Sequence, residues 1–278
     1  MAQTVLITGA SSGIGKAASQ LFAAKGWNVV ATMRKVADGG ELAALGDVLV
    51  TRLDVADRDS IAPAIEAGIA RFGKIDLLLN NAGYGQFGVF EATPREKIMA
   101  QFDVNVFGVM DVTRAMLPHF RANKGGGIIN VSSGAGLFTL PMISLYSASK
   151  FALEGFSEAL AYELGAQNIF VKLIEPHGGV TETNFNQRQA ANTVVDDAVL
   201  ADYAGFIEKT NAVFAGMVRA SSMTSADVAN VIYGAATDGT ERLRYFVGDD
   251  NRDVMKARYD LSEDDYVRFM RAKFAPKA

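Results

Sequence analysis

The sequence predicts an α/β fold: a doubly wound, mostly parallel sheet flanked by helices, built as a single domain over residues 1–278. Six short apolar runs, Val5–Ile7, Asn28–Ala31, Val48–Thr51, Leu77–Leu79, Ile128–Val131 and Phe170–Ile174, are each bounded by Gly, Asp or Asn, as buried strands are. Segments of helical length separate them: Ile14–Lys25, Ser60–Phe72, Glu96–Phe120 and Tyr146–Leu164. The chain holds 27 Gly against 6 Pro, which suits many tight βα turns. Strands alternating with helices join as right-handed βαβ units, and these give a parallel sheet.

Each element has its own reason. The run Val5–Ile7 enters a glycine-rich turn and then an amphipathic segment, so a strand and a helix meet there. Past residue 200, Tyr203, Phe206, Ile207, Thr210, Val213, Phe214 and Met217 recur at helical spacing and give one apolar face. This face reads either as a mobile lid, within residues 184–222, or as core or interface packing. Arg244–Val247 reads as a last strand and Asp253–Phe274 as a charged helical end.

Composition narrows the function classes. A net charge of −4 and a pI near 5.3 lack the basic stripe that nucleic-acid binding needs. No cysteine is present, so disulfides and thiolate metal sites are excluded. His119 and His177 are the two histidines, too few for a His-rich metal centre, so no metal is expected. The start of the chain lacks a basic region followed by an apolar core, and no run reaches the ~18 apolar residues of a membrane span. The expected setting is therefore cytoplasmic, without membrane or nucleic-acid partners.

The turn Thr8-Gly9-Ala10-Ser11-Ser12-Gly13-Ile14-Gly15 follows the first strand and opens the first helix. Glycines there let the backbone approach a pyrophosphate, and the helix N-terminus offers free N–H groups and a positive dipole end. The spacing is GxxxGxG, a relative of the GxGxxG dinucleotide fingerprint, so the fold is expected to be Rossmann-type. NAD-specific sites place a carboxylate near the end of the second strand, and the sequence shows none there. Arg34, with Lys35 beside it, instead offers charge to a 2′-phosphate, which favours NADP(H) over NAD(H). A solvated strand end is the plainer explanation of those two cations.

Tyr146 and Lys150 stand at i and i+4, on one face of a helix. A nearby ammonium, with the nicotinium charge of an oxidised complex, is expected to lower the phenol pKa and make Tyr146 a general acid or base. Ser133 ends the strand Ile128–Val131 on the edge where parallel sheets bind ligands. Asn105 interrupts a helical pattern that otherwise reads as buried. Tyr and Lys four apart are common, Ser133 suits a turn, and Asn105 alone suits a satisfied core amide.

Taken together, Thr8–Gly15, Asp54-Val55, Asn80-Asn81-Ala82-Gly83, Asn105, Ser133 and Tyr146–Lys150 occur in the order of the short-chain dehydrogenase/reductase family, over about residues 4–183. The chain resembles the shorter, non-epimerase branch. The resemblance implies a tetrad of Asn105, Ser133, Tyr146 and Lys150. Ser133 would orient the carbonyl, Tyr146 would donate the proton, and Lys150 would hold the ribose hydroxyls. Asn105 would position a water in a relay to Lys150. The cofactor would meet Gly9, Ser11, Ser12, Gly13, Ile14, Gly15, Arg34, Asp54, Val55, Asn81, Ala82 and Gly83, with Tyr146 and Lys150. Pro176, Gly178, Val180 and Thr181 would complete its site. In the stretch Glu175–Thr183, His177 is interposed in the family's Pro-Gly turn, so Thr181 and Thr183 compete for the nicotinamide, and His177 lines the site or is a displaced loop residue. His119 is expected to be structural.

The implied activity is NADP(H)-dependent hydride transfer between the nicotinamide and a carbonyl or secondary alcohol, in a homodimer or homotetramer. Leu137, Phe138, Leu140, Met142, Ile143 and Leu145 are expected either to form an apolar wall beside the chemistry or to pack in the core. The wall implies a hydrophobic ketone, steroid- or retinoid-like substrate. A non-catalytic NADP(H)-binding sensor on the same fold would show a damaged tetrad, and all four positions are intact. An epimerase of the longer branch needs a larger C-terminal region.

Overall fold

Strand order decides where a doubly wound sheet opens. The computed structural model describes residues 2–180, 197–220, 223–249 and 252–274. Seven strands, β1 (Thr4–Ile7), β2 (Asn28–Met33), β3 (Val48–Arg52), β4 (Leu77–Asn80), β5 (Gly126–Val131), β6 (Ile169–Pro176) and β7 (Arg244–Val247), form one sheet. Its order is β3-β2-β1-β4-β5-β6-β7, and all six described pairings are parallel. The order reverses between β1 and β4, so their C-terminal ends diverge and leave the crevice where such folds bind ligands.

Side-chain alternation builds two cores. Val5 and Ile7 point to one face with Leu77, Leu79 and Ile129, whereas Leu6, Leu78 and Ile128 point to the other. The first face is covered by α1 (Gly13–Ala24) and, in the C-terminal part, Ser225–Thr237. Phe22 of α1 packs edge-on against Trp27 and Tyr233 at centroid distances of 5.0 and 5.2 Å. The second face is covered by α2 (Ile61–Phe72), α4 (Gly108–Ala122) and α5 (Ser144–Gly165), with Met116, Phe120 and Leu160 at its centre. Such burial of both faces is why the strands read as continuous apolar runs.

The expected helix Glu96–Phe120 is real but not uniform. It consists of α3 (Arg95–Phe102), a π-helical turn at Asp103–Phe107, and α4. The wider turn carries Asn105 into the interior. Likewise, the expected helical end is two helices. The C-terminal helices are α6 (Asp197–Ala220), α7 (Ser225–Thr237), α8 (Arg252–Asp260) and α9 (Glu263–Phe274). Ser262 starts α9 by accepting from Asp265 N, which separates it from α8. The predicted last strand is β7, paired with β6.

Helix α6 is docked rather than buried. Phe214 lies between Phe87 and Phe274, at centroid distances of 5.6 and 6.4 Å, and Tyr203 Oη donates to Glu91 at 2.7 Å. Phe206 is exposed, and among the helix's described side chains only Thr210 is fully buried. Residues 181–196 and the Met217 side chain lie outside what is described. Thr181, Thr183 and, of the 184–222 segment, residues 184–196 and 221–222 therefore fall there.

Candidate active site

Two turns meet at the reversal of strand order, and their approach is set by side chains from β1 and β4. Thr8 Oγ1 accepts from both Asn81 N and Ala82 N at 3.0 Å. Asn81 Nδ2 in turn donates to Thr8 O at 2.9 Å and Gly9 O at 3.2 Å. A Cβ on Gly9 would lie 2.9 Å from Ala82 Cα, and one on Gly15 would lie 2.4 Å from Gly9 O. Only glycine fits at either place. Gly9 also has φ +70°, which side chains disfavour. Ser12, at the N-cap of α1, makes no side-chain cap, so among the described residues no side chain caps the first-turn N–H groups at the cavity. A cradle of glycines beneath an uncapped helix terminus fits a pyrophosphate.

A cavity of about 660 Å³ runs from this turn to the end of β5. Gly9, Ser11, Ser12, Gly13, Ile14, Arg34, Asp54, Val55, Asn81, Ala82, Gly83, Ser133, Tyr146, Lys150, Pro176, Gly178 and Val180 line it, so residues far apart in sequence share one wall. Two predicted contacts stand behind it instead. Gly15 is pressed against Gly9 O, and Asn105 is buried behind Gly83. Met33, Asp38, Leu53, Tyr84, Ser132 and Gly179 also line the cavity and were not anticipated.

Asp38 corrects the sequence reading that no carboxylate stands near this strand end. The 3₁₀ segment Val36–Ala44 folds back over β3, so Asp38 joins Arg34 on the wall. Arg34 remains exposed and makes no ion pair among the described residues. The apolar wall is corrected as well: none of Leu137, Phe138, Leu140, Met142, Ile143 and Leu145 lines the cavity. Phe138, Met142, Ile143 and Leu145 are buried away from it, Phe138 against His177. His177 is buried too, its ring against Phe138 and Phe246 and its Nδ1 2.6 Å from Glu175 O, off the cavity wall. His119 Nε2 accepts from Ile75 N at 3.0 Å, a structural contact as expected.

The chemistry-bearing groups converge where β5 meets α5. Ser133 is extended, and its Oγ accepts from Ala135 N at 3.2 Å, fixing the turn. Tyr146 is hydrogen-bonded to Ser133, and Lys150 Nζ donates to Val131 O at 2.8 Å. The Asn105 amide is fully engaged. Its Oδ1 accepts from Tyr84 N at 3.1 Å, while Nδ2 donates to Tyr84 O at 2.9 Å and Ser149 Oγ at 3.1 Å. Its side-chain polar atoms tie the β4 turn to α5. A further amide chain escaped the sequence reading. Asn80 Nδ2 donates to Asn130 Oδ1 at 2.9 Å, and Asn130 Nδ2 donates to Ser157 Oγ at 2.8 Å. Its only signal was an Asn inside each of two buried strands.

Comparisons with known proteins agree with this geometry. The family model for short chain dehydrogenases matches residues 3–194. The chain belongs to the short-chain dehydrogenase family. It is 40% identical over 217 residues to an uncharacterized oxidoreductase of Schizosaccharomyces pombe, covering 78% of this chain and 89% of that one. A 3-ketodihydrosphingosine reductase of Bacteroides thetaiotaomicron is 41% identical over 174 residues, 63% of each chain. A short-chain dehydrogenase from Streptomyces avermitilis superposes with a TM-score of 0.79 at 30% identity, over 98% of this chain and 96% of that one. The protein is thus an NAD(P)H-dependent oxidoreductase acting on carbonyl or alcohol groups. No described helix is long and apolar enough to cross a membrane.

Burial raises the Tyr146 phenol before any nicotinium charge acts on it. Taking Tyr146 out of water disfavours the phenolate, and the bond from Ser133 only partly offsets this, so the phenol is pushed up to about 12. Tyr146 is then a neutral acid throughout the physiological range. Alkaline titration at 295 nm checks this: wild type and Tyr146→Phe should give superimposable tyrosinate curves up to about pH 10. A wild-type step below about pH 9 that the variant lacks would overturn it.

Proposed function

We propose that the protein transfers hydride between NADP(H) and a carbonyl or secondary alcohol on a hydrophobic substrate. The observation that carries this is the shared wall: Ser133, Tyr146 and Lys150 line the same cavity as the glycine turn and Arg34. When bound, the nicotinamide supplies or accepts the hydride. The chain's own groups do the rest. Ser133 Oγ orients the substrate oxygen, and the Tyr146 hydroxyl gives its proton to that oxygen during reduction. Lys150 Nζ, fixed on Val131 O, keeps donors free for the ribose hydroxyls. Gly9, Ser11, Ser12, Gly13 and Ile14 would hold the pyrophosphate, and Asp54 and Val55 the adenine.

Arg34 and Lys35 present two exposed cations to a 2′-phosphate, against the single Asp38 carboxylate, which supports NADP(H) over NAD(H). A hydrophobic substrate is supported by the relative named for reducing 3-ketodihydrosphingosine, a ketone on a sphingosine chain. Steroid- and retinoid-like carbonyls belong to the same class. Exposed Phe151 and Tyr162 on α5 support a homodimer or homotetramer, which light scattering reads directly; the cytoplasmic setting is proposed from the sequence alone.

NADPH oxidation against a panel of ketones tests the reading, with Tyr146→Phe as control. The variant should lose ~10²–10⁴ in kcat while binding NADPH as the wild type does. Activity within a few fold of wild type would remove Tyr146 from the chemistry.

Coenzyme choice is tested at Arg34. Arg34→Asp should weaken NADPH binding and move the ratio of kcat/KM towards NADH by ~10-fold or more, since a charge-assisted bond to phosphate is exchanged for repulsion. A wild type that prefers NADH, or an unmoved ratio, would refute the NADP assignment.

The half-exposed α6 supports the 184–222 segment as a lid over the substrate. Phe206→Ala should then raise KM for bulky ketones more than for small ones and leave thermal stability nearly unchanged. A loss of ~2–5 kcal/mol, as core truncations cause, would make it a packing helix.

A further inference from the structure

The mechanism leaves unused a second charged cluster, built directly behind Lys150. Glu154 lies one helical turn further along α5, on the same face, and is buried. Its stem passes beneath the turn that carries Ser133: a Cβ on Gly136 would fall 2.9 Å from Glu154 Cγ and 3.1 Å from Ser132 Oγ. Glu175 of β6, fully buried, adjoins Pro176 on the cavity wall. Arg244 of β7 bridges the two acids. Its Nε donates to Glu154 Oε2 at 2.9 Å and lies 3.4 Å from Glu175 Oε1, while its Nη2 donates to Glu158 Oε2 at 2.5 Å.

Two buried carboxylates on one guanidinium nitrogen cannot both ionise cheaply. Burial first, then the Glu154 charge, raises Glu175 well above the usual carboxylate range and favours its protonated form. Arg242, before β7, and Tyr259, on α8 beside Arg258, also face this cluster electrostatically. Burial lowers Lys150 to about 8, and Glu154 opposes that fall. Tyr146, with its ring 5.8 Å from Lys150 Nζ, is the other titratable neighbour. Lys150 and Glu154 form no direct ion pair. Glu154 Oε2 is engaged by Arg244 and Lys150 Nζ by Val131 O, so the carboxylate charge reaches the ammonium through space.

We propose that Glu154, held by Arg244 beside the buried Glu175, is a positioning residue that keeps the Lys150 ammonium charged in the active site. The inference rests on the reading of Lys150 given above. It extends the site by an acid–acid–guanidinium triad spanning α5, β6 and β7. Removing the Glu154 charge destabilises the ammonium, so Lys150 must deprotonate at lower pH.

The test is NMR titration of the full, cofactor-free chain carrying ¹³Cε-lysine, with the Lys150 signal identified by its loss in Lys150→Met. Glu154→Gln should lower the Lys150 midpoint by ~1 unit, the size of shift one nearby buried charge produces. Glu154→Asp, which keeps the charge, should restore most of it. Glu175→Gln, neutral as Glu175 is, should leave the midpoint near the wild-type value. A midpoint unmoved by Glu154→Gln, or moved equally by both Gln variants, would overturn the proposal. Wild-type ¹³Cδ-glutamate spectra give a readout that needs no folded variant. One buried carboxyl must be ionised at pH 7 and its neighbour protonated; both in the same state would refute the triad. Neither measurement uses turnover, so their failure leaves the hydride-transfer reading standing, and absence of turnover leaves their result intact.

Discussion

The site depends on how closely two backbone turns can approach at the reversal of strand order. Thr8 and Asn81 exchange hydrogen bonds across that gap, and Gly9 and Gly15 remove the atoms that would hold it open. With the turns locked together, the first turn of α1 is held at the cavity wall, at a fixed height above β1. Everything downstream is positioned against that floor. Asn105 ties the β4 turn to α5, and α5 carries Tyr146 and Lys150. The spacing between phosphate cradle and acid is thus set by a chain of amide contacts, not by a flexible linker.

Much of this architecture was legible because local chemistry and global position coincide. Every predicted strand is present, since runs such as Leu77–Leu79 are buried on both faces and have no polar alternative. The cavity wall was legible where a motif has a backbone reason: glycines where a Cβ would collide, and Ser133 at a strand end. What stayed hidden needed three dimensions. Asp38 reaches the wall only because a 3₁₀ segment folds back. The Leu137–Leu145 stretch carries the residue types of a substrate wall, but most of them are buried off the cavity, Phe138 against His177. Periodicity reports that a side chain is buried, not what lies on the other side of it.

The electrostatics were hidden for a related reason. A lysine four residues from a tyrosine predicts a lowered phenol pKa only if charge outweighs desolvation. In the cofactor-free protein desolvation wins at both residues, raising Tyr146 and lowering Lys150, so each is shifted towards its neutral form. Glu154, Glu175 and Arg244 stand in sequence positions that read as a helix face, a strand end and an edge strand. Their meeting is a product of strands β5, β6 and β7 lying side by side.

That strand order also gives the protein a direction of assembly. From β4 onward each new strand is laid beside the previous one, in chain order, on the same edge. A chain emerging from a ribosome can therefore complete the glycine turn, the amide ties and α5 while β7 is still unsynthesised. Before β7 is laid down, β6 with Glu175 is the edge strand. Arg244 joins the two acids only with the last strand. The nascent enzyme is thus built with its phosphate cradle first and its electrostatic setting last.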